Sequence, residues 1–182
     1  MGTDELPASS IGDLDDLVRL HWPRVYRFAL ASLHDPDAAG SIAQDCFLRL
    51  YRSRDRFRGE CSLVTWIMQI AANLIKDHAR NRGFQFWRKA RNTAVAPDVA
   101  NLFLADPHLT PEQAAVARER VRAVWESATF LTERQRTVFL LRFVEDMDIR
   151  EIATATGLKE GTVKIHLFRA VESVRQRIGR PE

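Results

Sequence analysis

The sequence predicts an all-α protein: two small helical domains joined by a linker. Three observations carry that expectation. Apolar residues recur at three- and four-residue spacing nearly everywhere, with no strong alternating run of the kind a half-buried strand needs. Helix-start signals stand in front of several of these stripes. The period breaks only after Arg82-Gly83, where residues 83–109 mix aromatics, bases, Asn and two prolines. The expected organisation is therefore a tail over 1–11, a first unit over 12–91, a linker over 92–109 and a second unit over 110–182.

The first stripe runs through Leu14, Leu17, Val18, Leu20, Trp22, Val25, Phe28, Ala29 and Leu33, and Pro23 inside it predicts a kink or a restart. Asp35-Pro36 pairs an N-cap with a first-turn proline and opens a helix carrying Ile42, Cys46, Phe47, Leu50 and Tyr51. The polar link SRDRFRGECS follows, with Gly59 as its flexible point. Leu63, Trp66, Ile67, Ile70, Ala71, Leu74 and Ile75 then mark about four helical turns. In the second unit three capping signatures stand in a row: Thr110 to Gln113, Thr132 to Gln135, and Asp148 to Glu151. Gly157 is placed to end the short helix after Asp148 in a left-handed turn, and a last helix is expected from about Gly161 to Ile178.

Composition narrows the function classes. The chain has 182 residues, 46% of them hydrophobic, enough for one ordinary domain or two small ones. No run of about 18 apolar residues exists, so no membrane insertion is expected. The first residues show no secretion signal, and Cys46 and Cys61 alone make no disulfide framework, so the chain reads as cytoplasmic. No His/Cys pair has metal-ligand spacing, no Gly-rich phosphate loop occurs and no paired-acid arrangement recommends a nuclease. The expectation is thus no enzyme, no metal and no cofactor. The net charge of +3 hides an uneven distribution. Residues 76–91 hold Lys76, Arg80, Arg82, Arg88, Lys89 and Arg91 against Asp77, and a second basic cluster closes the chain. Arginine outnumbers lysine 23 to 4, which favours fork-shaped contacts to phosphates and base edges. Two basic patches suggest a polyanion touched at two places.

Residues 148–176 have the spacing of a helix-turn-helix: a short helix, a three-residue turn containing Gly157, and a longer helix. Ala153 is assigned to the closest approach of the pair, and Ile152, Leu158 and Val163 to the apolar lock. The second helix of such a unit enters the major groove. Its outward positions are then Thr162, Lys164, Ile165, His166, Phe168 and Arg169. Lys164 and Arg169 can reach phosphates or guanine edges, and Phe168 can meet a thymine methyl.

With that motif in place, the stretch LTERQRTVFLLRFVEDMDIREIATATGLKEGTVKIHLFRA resembles region 4 of the sigma-70 family in its extracytoplasmic-function (ECF) group. AQDCFLRLYRSRDRFRGECSLVTWIMQIAANLIKDHARNR resembles region 2 of the same group. The resemblance implies a protein that binds core RNA polymerase, directs it to promoter DNA and helps to open it. Gln44, Asp45, Phe47, Leu48 and Leu50 match the helix that docks on the clamp helices of the largest polymerase subunit, with Asp45, Arg49 and Arg52 as polar contacts and a core role for Phe47 as the alternative. Phe57, Arg58, Gly59, Glu60, Cys61 and Ser62 match the loop over a flipped −10 base, and Asn73 matches a position at that base pocket. Trp66 matches a family tryptophan assigned to the core. Lys76, Arg80 and Arg82 lie where the strand backbone passes; Lys164, Ile165, Phe168 and Arg169 match the positions that read the −35 element. An anti-sigma factor is a further partner the family implies. The chain departs from the family at Gly40-Ser41, where an acidic pair is usual, at Ile165, and at Lys159, where a capping Ser, Thr or Pro is usual.

Two further readings compete with this one. A helix-turn-helix transcriptional activator of the response-regulator type shares the carboxyl-terminal pattern but requires a domain of alternating strands and helices ahead of it. An anti-sigma-like interaction protein would not need two basic DNA-facing surfaces. Phe84, Phe86 and Trp87, interleaved with Arg88 and Lys89, either stack bases or pack as a helix end.

Overall fold

The computed structural model describes residues 14–81 and 110–179. Among these there are seven α-helices, one short 3-10 turn and no strand. The first unit is α1 (Leu14–Leu33), α2 (Pro36–Ser53), the 3-10 turn Arg54–Arg56 and α3 (Leu63–Asn81). The second is α4 (Pro111–Ala128), α5 (Glu133–Phe143), α6 (Ile149–Thr156) and α7 (Glu160–Ile178). A strand-containing receiver domain is thereby ruled out for residues 14–81, and the response-regulator reading loses its required partner domain.

Local chemistry explains most boundaries. The Asp35 side chain accepts a hydrogen bond from the Ala38 amide and Pro36 takes the first position of α2, as the sequence predicts. All three expected capping boxes form, at Thr110/Gln113, Thr132/Gln135 and Asp148/Glu151. Each satisfies two otherwise orphaned amides, and losing the cap residue typically costs about 1 kcal/mol. Gly157 ends α6 at φ 70°, the left-handed conformation that its position predicts. Lys159 stands at the N-cap of α7 with no side-chain cap hydrogen bond, so that helix begins without the usual stop on its first amides.

The structure adds detail at two places. Pro23 does not restart α1, which is a single helix of 20 residues. The ring removes one backbone donor, but Val25, Phe28, Ala29, Leu30 and Ala31 behind it are all buried, and Trp22 before it packs on the same core. Fully burying one large side chain contributes about 1.5–3 kcal/mol, so several together outweigh one lost hydrogen bond. In the helix-turn-helix, Ala155 is the fully buried alanine of α6, while Ala153, assigned to the closest approach, is only half-buried.

Phe28, Leu50, Ile67 and Met68 centre the first unit; Leu131, Leu140, Leu141, Ile152 and Val163 centre the second. The buried residues of both belong to one continuous apolar cluster. The junction is made by α6 lying on α3 and by α5 touching α1.

Candidate nucleic-acid interface

The face of α7 assigned to the groove has the burial pattern that the sequence predicts. Val163, Ala170 and Val174 are buried on one side. Lys164, Ile165, Phe168 and Arg169 are exposed on the other, with Phe168 68% and Ile165 53% accessible. Two aromatic or branched apolar side chains held in water beside two cations make an unusual solvent face but a fitting groove face. Thr162 and His166 are half-buried at its margin. The apolar lock is Ile152 and Val163, both fully enclosed, with Leu158 half-buried beside them.

The loop assigned to the −10 base spans the end of the 3-10 turn and the start of α3. Arg58, Gly59, Glu60 and Ser62 are exposed, and Gly59 takes φ 71°, a conformation few other residues adopt cheaply. The Phe57 ring stacks on Trp66 with centroids 4.9 Å apart, so the half-buried Trp66 serves as a platform for the loop. Ser62 also starts α3: its hydroxyl accepts from the Thr65 amide at 3.1 Å, and its carbonyl accepts from the Trp66 amide. Burial and the neighbouring Glu60 carboxylate push the Cys61 thiol pKa up, the opposite of what a reactive thiolate needs. Cys46 is buried against the Ile67 carbonyl and its pKa is pushed up to about 12; it is a packing residue.

Asn73, Lys76 and Arg80 are exposed along α3, while Arg82, Phe84, Phe86, Trp87, Arg88 and Lys89 lie outside the described residues. Asn73 and Lys76 do not face open solvent alone. They line a crevice together with Glu133, Arg134 and Thr137 of α5 and with Thr156 and Leu158. On α2, Gln44, Asp45, Leu48, Arg49 and Arg52 form one exposed strip. Phe47 and Leu50, which share the matched segment, are core instead; Phe47 stacks on Trp22 at 5.9 Å.

The structure adds a polar seam between the units that periodicity and motif spacing do not mark. Glu145, whose side chain is wholly buried, accepts from Arg24 Nε at 2.5 Å and from Arg27 at 3.4 Å, and its carbonyl accepts from Arg24 at 3.0 Å. Burial raises the Glu145 pKa, and the two arginines offset that only in part. Arg136 donates to the Ala128, Thr129 and Leu131 carbonyls of its own unit and to the Ser32 carbonyl of the other, at 3.2 Å. Thr65 of α3 donates to Glu151 of α6 at 3.3 Å, and Glu151 is also the third residue of the α6 capping box. Asp146, next to Glu145, is a non-glycine at φ 52°.

Fold and faces together define a nucleic-acid-binding protein of the helix-turn-helix class, with a second, separate helical unit. The profile of Sigma-70 region 2 matches residues 17–85, and that of Sigma-70, region 4 matches residues 130–174. The chain is 31% identical to RNA polymerase sigma-H factor of Pseudomonas aeruginosa over 164 residues, covering 88% of this chain and 83% of the relative. It is 26% identical to the ECF RNA polymerase sigma factor SigW of Bacillus subtilis, over 92% of this chain and 91% of that one. Among solved structures it resembles the sigma factor RpoE in complex with the anti-sigma factor NepR from Bartonella quintana, with a TM-score of 0.68 at 18% identity, over 93% of this chain and 99% of that chain. It also resembles CnrH in complex with the cytosolic domain of CnrY, with a TM-score of 0.64 at 20% identity, over 94% and 92% of the two chains. The chain belongs to the sigma-70 family, in its ECF group.

Proposed function

We propose that this chain binds core RNA polymerase, carries it to specific promoters through −10 and −35 recognition, and promotes opening of the DNA there. The observation that supports this most is the ordered pair of sigma regions on a helix-turn-helix whose groove face is exposed. Lys164, Ile165, Phe168 and Arg169 read the −35 element, with Thr162 at the edge. A single good bidentate contact contributes about 1–3 kcal/mol of discrimination. The loop Phe57, Arg58, Gly59, Glu60, Cys61 and Ser62 receives an extruded −10 base, and Asn73, which both donates and accepts, reads its edge. Extruding a base costs a few kcal/mol, a sum that polar and stacking contacts can offset without ATP. Lys76, Arg80 and Arg82 supply the sequence-independent attraction for the strand backbone. Gln44, Asp45, Leu48, Arg49 and Arg52 dock on the clamp helices of the polymerase's largest subunit.

The work is recognition rather than bond chemistry, so no catalytic residue is assigned. We place the protein in the cytoplasm, where polymerase and promoter are; no described helix is long and apolar enough to cross a membrane. An anti-sigma factor is the proposed regulatory partner; the neighbour RpoE is in complex with one, NepR.

Run-off transcription on genomic promoter fragments tests the reading. Core polymerase and this chain together are expected to give discrete products that neither gives alone. Arg169→Ala should weaken promoter binding by about 1–3 kcal/mol. Product without the chain, or none on any cellular promoter, would count against it.

A further inference from the structure

The first helix of the helix-turn-helix carries an arginine that the fold does not use. Arg150 stands in the first turn of α6, and its side chain is 86% exposed. Its side-chain partner is Glu160 of α7, with Nε 3.8 Å from the carboxylate, too far for a hydrogen bond. An exposed pair of this kind adds little to stability. The next residue, Glu151, is by contrast engaged twice, in the α6 capping box and with Thr65.

The partner fixes where Arg150 reaches. Glu160 opens α7, and Lys164 lies one helical turn further along the same side. Arg150 therefore extends toward the amino end of the groove face, away from the side of α6 that buries Ile152 and Ala155. In a docked helix-turn-helix the second helix points its amino end at the base edges, while the first helix crosses the phosphate backbone. A guanidinium placed there meets a phosphate, and its planar fork suits two parallel hydrogen bonds to one. Glu160 meets the same negative charge and is repelled by it. It can release Arg150 without being stranded. Its side chain is 51% exposed, and it stands in the first turn of α7, where the helix dipole favours an acid.

We propose that Arg150 is a further DNA contact, a clamp on a backbone phosphate beside the −35 element, and that Glu160 holds it in the free chain and yields it to the phosphate on binding. The inference rests on the promoter-reading assignment above for the element it flanks. A phosphate contact carries no sequence information, so the clamp acts on any duplex. Arg150 adds grip without adding choice of bases, unlike Lys164, Ile165, Phe168 and Arg169 on the groove face. Glu160 competes for the clamp and so weakens binding to every duplex alike.

The test uses the full chain as wild type, Arg150→Ala, Glu160→Gln and the double variant. Each is titrated onto a −35-bearing promoter duplex and a random-sequence duplex of equal length, over a series of salt concentrations. Circular dichroism checks the fold. Arg150→Ala should keep its helix content and melting temperature, weaken both duplexes by the same few-fold factor, and make the log–log salt dependence shallower by about 0.9. Arg169→Ala should instead weaken the promoter duplex more than the random one. Glu160→Gln should tighten both duplexes few-fold and lose most of that gain when Arg150 is also alanine. An Arg150→Ala chain with unchanged affinity and salt slope, or with a loss confined to the promoter duplex, would overturn the clamp. A Glu160→Gln gain of the same size with and without Arg150 would overturn the exchange. If no form prefers the promoter duplex while Arg150→Ala still flattens the salt dependence, the promoter reading fails and the phosphate contact stands. A wild type that binds neither duplex would sink both.

Discussion

His34 holds the turn between α1 and α2 at φ 55°, beside the seam. Both ring nitrogens are buried and neither has a hydrogen-bond partner. Burial, and then the charge of Arg136, lower its pKa from 6.5 to about 4. The folded chain therefore holds a neutral imidazole where the unfolded chain takes up a proton. Stability from this group is complete above pH 6.5, falls as the pH drops from 6.5 toward 4, and changes no further below that. The full effect is about 3 kcal/mol. His34→Asn suits the left-handed backbone and removes the titration. Denaturant unfolding of both forms between pH 7 and 4 should show a steeper loss for wild type; parallel curves would mean that His34 is solvated. The residue scale also separates what pattern alone can assign. The exposed positions of α7 follow from helical period, because burial of Val163 and Ala170 leaves Lys164, Ile165, Phe168 and Arg169 no other side to occupy. Phe47 does not follow from the family match, because a docking helix has two faces and its residue type suits the core as well.

At the scale of the element, the helix-turn-helix depends on one backbone conformation. Gly157 sits at φ 70°, and a Cβ added there would meet nothing within 4 Å. Gly157→Ala thus carries a backbone cost without a clash, about 1–2 kcal/mol. The variant should unfold at lower temperature and bind −35 DNA more weakly, since the entry angle of α7 shifts with the turn; an unchanged melting temperature would show that the turn relaxes freely. The capping boxes were legible in sequence because each uses only residues three positions apart. At Pro23 local chemistry allows a restart, and the buried residues that follow it, Val25 to Ala31, keep α1 continuous instead.

Across the whole molecule, one core spans both units. Unfolding should then be a single cooperative transition, seen alike by circular dichroism and by calorimetry. Arg24→Glu, which sets two carboxylates against each other at the seam, should split it in two; two transitions already in wild type would mean that the seam contributes little. The described residues carry the expected helices and the exposed groove face, because caps, period and turn chemistry act over four residues or fewer. The sequence by itself determined the all-helical class, the starts of α2, α4, α5 and α6, and the family. Only the tertiary structure decided that α6 lies on α3, that Glu145 is enclosed by Arg24 and Arg27, and that Asn73 looks into a crevice. Those contacts join residues 86, 121 and 118 positions apart, at Thr65–Glu151, Arg24–Glu145 and Arg27–Glu145. An acid in a polar loop carries no local mark of the distant arginine that will meet it. Its partner is chosen by how two apolar faces pack, and that choice exists only once the chain has folded.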